Sequence, residues 1–374
     1  MNQASINSFV VNSQVSITNK NALGVIFQFE DKNIFLKDKN LDINDQIFIY
    51  GKAERIVNSS SDFNIENYLK SYKTFFEIKA ITSLKIIKKH QDWKSNFFHF
   101  VTSGNTYYSQ VFPISLLGEN YILENTFITN LKQLNVYHLF VISGFHLLFF
   151  KKFIFKIFQF IKLNFLISNF LFLFFLLFVN YLLNFPISFL RATLFFIFSL
   201  INKQILKNYF KNFEVLSFVA IVFILWNPLV IYSFSYIFTF LITLILLYCS
   251  HLKFNNKWWK NIITSLISHT FASVLLLMFN NKYNVFGYLN SFIFVPVFVF
   301  IYTVGWIFIW EKNLLDFIAQ FILWLVDQFT KFQFYIYLIK LNFLTVFVSY
   351  IIFSVCFLFT ELIHISQRKK LSKF

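Results

Sequence analysis

Residues 136–150 read VYHLFVISGFHLLFF. The run is apolar enough to enter a bilayer, yet it carries His138, Ser143, Gly144 and His146 where a plain anchor would carry aliphatic side chains. A polar group in hydrocarbon costs free energy unless it meets a partner or lines water, so these residues need a reason to be there. The sequence before the run reads as water-soluble, and nearly everything after it reads as membrane. The run is thus a border between two kinds of domain, and it decides the fold class.

Composition agrees. The chain has 374 residues, is 57% hydrophobic and has a mean hydropathy of +0.61, too apolar for a soluble globule and suited to a polytopic membrane protein with one soluble domain. Phe occurs 59 times, beside abundant Ile, Asn and Lys. All four use AT-rich codons, so a single Phe carries little functional meaning. Arginine is informative by contrast: only Arg55, Arg191 and Arg368 occur. Cys249 and Cys356 both fall in apolar segments, which argues against a disulfide framework or a Cys metal site. Residues 1–94 hold 13 of the 33 basic and 10 of the 17 acidic groups. The basic excess therefore sits in the membrane half, as the positive-inside rule expects, with nucleic-acid attraction the sharper alternative. The first twenty residues lack the apolar core of a signal peptide.

Residues 1–90 alternate short apolar runs with polar breaks. Leu23–Phe29, Asn33–Leu36, Gln46–Ile56 and Phe75–Ile87 read as strands, and Asp62–Tyr72 as helical or irregular. They predict a small β-barrel, with an oligonucleotide-binding (OB) fold one candidate and a generic β domain the other. Residues 91–135, with Trp93, Phe97, Phe98 and Phe100, read as amphipathic helices at the membrane interface. Residues 136–365 hold about 8–9 membrane segments. The candidate spans are 136–160, 164–184, 186–201, 213–230, 232–251, 261–281, 289–310 and 341–362, and an amphipathic 314–328 crosses or lies flat. Residues 366–374 form a basic tail.

Loop charge orients the spans. Lys151, Lys152, Lys156 and Lys162 form one basic set, Lys203, Lys207 and Lys211 a second, Lys253, Lys257 and Lys260 a third. The intervening loops near Phe185, near Pro228 and at Asn280–Tyr288 carry almost no charge apart from Lys282. The alternation predicts cytoplasmic basic loops and C-terminus, with the N-terminal domain outside the cell membrane.

Few residues carry chemistry. His138 and His146 are eight apart and belong to no ligand motif, so no metal and no cofactor is expected. Ser143 and His146 can be drawn as nucleophile and base, but no orienting carboxylate is evident. A Ser-Gly step in a helix is more commonly a packing or kink site. Arg191, in NFPISFLRATLFF, costs about 2.5–3.5 kcal/mol inside an apolar span. It either snorkels to the outer interface or meets a phosphate, which guanidinium geometry suits. Asn290 and Pro296 set an amide and a helix breaker in another span.

Together these elements resemble the ComEC family of competence proteins. YHLFVISGFHLL at 137–148 is similar to the family's HLLAISGLHV stretch, preceded by LLGENYILENTFITNLKQLNV. FLRA at 189–192 fits its later RA motif, and WNPLVIYSFSYIFTF resembles its NP and GFQLSF run. The order holds across roughly 90–310. The resemblance implies a membrane channel for single-stranded DNA under an external OB-like domain, not an enzyme. His138, Ser143, Gly144, His146, Arg191, Asn290 and Pro296 are then the channel-lining or DNA-contact candidates. The C-terminal metallo-β-lactamase-like domain of many members is not matched, so a truncated form is expected, one that does not itself degrade DNA. Partners implied are single-stranded DNA, the lipid bilayer, a separate cytoplasmic ATP-driven motor, a separate nuclease and further copies of the chain. The competing readings are a secondary transporter of a small solute and an intramembrane serine hydrolase.

Overall fold

A computed structural model describes residues 8–21, 23–38, 41, 43–57, 65–89, 92–118, 126–140, 144–251, 256–276 and 282–337. Ser143, Cys356, Arg368 and the expected 341–362 span and 366–374 tail lie outside the described residues. The chain divides into two compact units, Met1–Ile237 with Leu289–Gln333, and Phe238–Tyr288 with Phe334–Phe374.

The first unit opens with a closed five-stranded barrel. Its strands are β1 (Ser8–Asn21), β2 (Gly24–Phe29), β3 (Lys32–Leu36), β4 (Gln46–Arg55) and β5 (Thr74–Lys88), in the order β1-β2-β3-β5-β4. All neighbouring pairs are antiparallel except β3 with β5. Strand β1 is missing from the sequence expectation because its outward residues, apart from Val10, are polar: Ser8, Asn12, Gln14, Ser16 and Thr18. Its inward ones, Val11, Val15 and Ile17, still keep the period of two. Strand β2 reads as a continuous apolar run because both of its faces are covered. Val25 and Phe27 point into the barrel, while Ile26, with Phe35 of β3 and Ile56, is covered by Leu69 of helix α1 (Ile65–Lys70).

Helices follow: α2 (Trp93–Thr102), α3 (Thr106–Leu117), α4 (Thr126–Gln133), α5 (Tyr137–Phe140), α6 (Gly144–Phe160), α7 (Phe165–Leu182), α8 (Ile187–Gln204) and α9 (Asn212–Trp226). A 3₁₀ turn at Pro228–Tyr232 leads to α10 (Phe234–His251). Later come α12 (Gly287–Ile307) and α13 (Lys312–Lys331). Within the expected span 136–160 the described residues form α5 and α6, and 141–143 lie outside the described residues. Helices α7 and α12 are long and apolar enough to cross a membrane by length and composition.

The unit's second core is a cluster drawn from α2 to α8, α12 and α13, with Phe112, Phe127, Phe140, Phe172, Phe189 and Phe298 fully or nearly fully buried. Helix α13 turns Leu315, Ala319, Ile322 and Val326 inward, at spacings of four, three and four, and leaves Phe317, Phe321 and Trp324 exposed. Its first turn also holds the α2–α3 corner. Lys312 Nζ donates to the carbonyls of Phe100 and Ser103 at the end of α2. One turn on, the Asp316 carboxylate accepts from the amides of Tyr107 (3.0 Å) and Tyr108 (2.7 Å) at the start of α3. A cation thus meets a helix C-terminus and an anion a helix N-terminus, the signs the helix dipole favours.

The second unit contains the later part of α10, helix α11 (Lys257–Leu276) and a short ladder between β6 (Lys282–Asn284) and β7 (Tyr335–Tyr337). That ladder pairs residues about fifty apart, and nothing in the hydropathy pattern signals it.

Asp316→Ala strips the acceptor from two helix-start amides. It is expected to destabilise the chain by about 1–3 kcal/mol, read as a lowered unfolding midpoint of the detergent-purified protein. An unchanged midpoint would remove the corner's dependence on Asp316.

Candidate functional site

The site is best built from α8 outward. The α7–α8 corner is tight: Asn184 and Phe185 both take left-handed backbones (φ 57° and 53°), the Phe185 amide donates to Asn180 O, and Pro186 precedes the first residue of α8. Asparagine tolerates that backbone better than other residues. Lys94 of α2 fixes the corner from outside, donating to Tyr181 O and Asn184 Oδ1, both at 2.6 Å. Trp93 stacks on Phe178 beside it. From Pro186, Arg191 follows after about 7 Å of helix rise.

Arg191 is buried, only 8% exposed, among apolar helices. Its guanidinium lies against the start of α6. A Cβ built on Gly144 would stand 3.1 Å from Arg191 Nη2 and 3.6 Å from Ala192 Cβ. The glycine of the ISG element and the Arg-Ala pair of FLRA are therefore two halves of one contact. Two turns of buried polar groups lie close by. Asn180 Nδ2 of α7 donates to Thr193 Oγ1 of α8 at 2.9 Å, and both residues are fully buried. Further along α8, Asn202 pairs with both the amide and the carbonyl of Phe210 and fixes the loop after the helix.

The other candidates lie apart. His146 is two residues beyond Gly144, hence on another side of α6. It is buried with its ring edge-on to Phe298 and Tyr302 of α12, both at 5.1 Å. Pro296 belongs to α12 too, but it is exposed, on the side of that helix away from Phe298, and α12 runs through it unbroken. Asn290 is buried at the start of α12. Its Nδ2 donates to Leu134 O (3.0 Å) and Gln333 Oε1 (2.7 Å), which ties α12 to the ends of α4 and α13. His138 is exposed on the four-residue α5, and Ser143 lies outside the described residues.

Sequence reasoning passed over Lys94, Asn180, Thr193 and Gly305. A Cβ on Gly305 would meet Phe112 at 2.8 Å and Leu116 at 3.1 Å, so the glycine lets α12 pack closely on α3. Polar or small residues inside apolar runs were the available signal. Among the described residues, no group of three or more His, Cys, Asp or Glu is placed to hold a metal ion.

Compared with known proteins, residues 115–362 match the model of the family described as "Competence protein". An uncharacterised protein of Mycoplasma genitalium, MG316, is 31% identical over 212 residues, 57% of this chain and 54% of that protein. Its Mycoplasma pneumoniae homologue is 27% identical over 209 residues, 55% and 52% of the two chains. The chain thus spans about half the length of the curated relatives it matches. No solved structure matches it significantly.

His146→Ala opens a cavity among Phe298 and Tyr302 and is expected to cost about 2–5 kcal/mol. His146→Phe keeps the ring and should cost under about 1.5 kcal/mol. Denaturant unfolding in detergent reads both; equal losses would mean that the ring's packing is not what His146 supplies.

Proposed function

The chain belongs to the competence protein family, and from that premise we propose that it forms a path by which single-stranded DNA crosses the cytoplasmic membrane during DNA uptake. The observation that carries the proposal is Arg191, a buried guanidinium held against the first turn of α6. The guanidinium lies there inside an apolar wall, a spot suited to a passing phosphate. An arginine that only snorkelled would reach the interface.

The multi-pass topology proposed here has the barrel outside. In its favour, the uncharged corners meet the barrel and its neighbour α2. Asn227 Nδ2, in the corner before Pro228, donates to Ser71 O of the barrel at 2.7 Å, and Lys70 lies over the Tyr232 ring. Lys94 binds the 181–184 corner. The opposite ends of α7 and α8 are basic, with Lys203 near the end of α8 over the Phe165 ring at the start of α7. An 18-residue helix separates the two ends by about 27 Å, close to a hydrocarbon core. Exposed tryptophans at helix ends, Trp226, Trp258, Trp259 and Trp310, suit the interfaces.

On the barrel, the β4–β5 wall exposes Lys52, Arg55, Lys79, Lys85 and Lys88 beside Tyr50 and Phe75. Bases can stack on such rings while phosphates meet the cations, without reading sequence. Glu77 pairs with Lys79 at 2.7 Å, and the hydrogen bond holds the lysine above its ordinary pKa. The chain acts as a conduit, not an enzyme; strand transport is driven by a separate cytoplasmic ATP-powered motor, with degradation left to a separate nuclease.

In cells carrying Arg191→Ala at normal membrane levels, import of labelled DNA should fall about tenfold, the loss expected of one charge-assisted hydrogen bond, while surface binding of DNA persists. Unchanged import rejects the role of Arg191. Proteoliposomes that exchange a small solute yet pass no DNA would reject the conduit in favour of a solute transporter.

A further inference from the structure

We infer that Gly144 is a positioning residue for Arg191: its missing side chain is the seat of the guanidinium. This deepens the DNA-path reading and rests on it for its functional consequence, though not for its geometry.

A glycine serves a fold in two ways. It adopts backbones that other residues avoid, or it leaves room where a Cβ would collide. The first does not apply at Gly144. Among the described glycines only Gly118 has a φ in the left-handed region, and Gly144 has an ordinary helical place as the first residue of α6. Alanine would suit that backbone better, because it loses less conformational freedom in a helix. Room is what remains. The added Cβ would stand 3.1 Å from Arg191 Nη2, closer than ordinary van der Waals contact, with Ala192 Cβ at 3.6 Å on the same side.

The α8 helix is anchored on another face. Thr193 and Asn180 are hydrogen-bonded on the α7 side of α8, and Phe189 is fully buried one turn before Thr193. A methyl group at 144 therefore displaces the guanidinium along its own flexible stem, not the α8 backbone. The consequence is specific: Gly144→Ala moves a charge and leaves the helix pair standing.

Chemical modification reads that movement directly. The chain has only three arginines, so a dicarbonyl reagent such as phenylglyoxal followed by peptide mass mapping reports Arg191 against Arg55 as internal reference. In the detergent-purified full chain, Gly144→Ala should raise the modification rate of Arg191 several-fold while Arg55 stays constant. An unchanged Arg191 rate overturns the inference, whatever DNA does. If Gly144→Ala fails to reach the membrane, Gly144→Ala combined with Arg191→Lys removes the branched head that collides. Recovery of membrane level then supports the seat, and no recovery overturns it. In the import assay Gly144→Ala should cost about tenfold in the Arg191 chain and add nothing to Arg191→Ala. A raised modification rate with normal import keeps the seat and rejects the contact between Arg191 and DNA.

Discussion

The helical part of this chain depends on how its many helix ends are satisfied. Its helices are many, and each end leaves backbone amides or carbonyls without intrahelical partners. In an apolar setting those groups have no water to turn to. Side chains from distant helices supply the missing partners. Lys312 and Asp316, one turn apart on α13, serve the end of α2 and the start of α3. Asn290 reaches Leu134 O beyond α4, and Lys94 reaches Tyr181 O near the end of α7. Each such bond contributes modestly, but leaving the buried group unmet costs more than the bond is worth. The polar residues scattered through apolar runs are therefore largely structural, and a functional reading must be argued against that background.

Arg191 stands out from this background because it is a cation buried among apolar helices. It lies on the α6 side of α8, opposed by a glycine and flanked by an alanine, both small. Small residues at a helix contact let the backbones approach. Here they also admit a long charged side chain. Gly144 and His146 lie about 200° apart around α6 at 100° per residue, so one meets α8 and the other α12. The polar run at 138–146 is thus not a single lining. Its glycine belongs to the arginine contact and its second histidine to an aromatic packing site.

Periodicity made much of this legible. The strands from β2 to β5 follow directly from residue patterns, and so do the two helices long and apolar enough to cross a membrane. Strand β1 escaped because its outward Asn, Ser and Gln residues hide three buried aliphatics. Arg191 was visible as an oddity in an apolar span, but its partner was not, since 47 positions separate it from Gly144 and no local pattern links them. Asn290 looked like a cavity residue because sequence shows an amide in an apolar run and hides the carbonyl it serves. Residues that act across helices leave a sign of their presence in sequence and none of their direction.

The barrel and the helices have separate cores, one built on Val11, Phe27, Ile34 and Ile49, the other on Phe112, Phe140, Phe172 and Phe298. Among the contacts that join them are Asn227 to Ser71 O, Lys70 over Tyr232, and the chain itself between β5 and α2. On the DNA path proposed above, strand capture on the barrel wall and passage beside Arg191 fall on different cores. Lys94, in the first turn of α2, binds the α7–α8 corner at Asn184, seven residues ahead of Arg191. On that path, the corner is a short mechanical route from the end of the barrel to the buried charge.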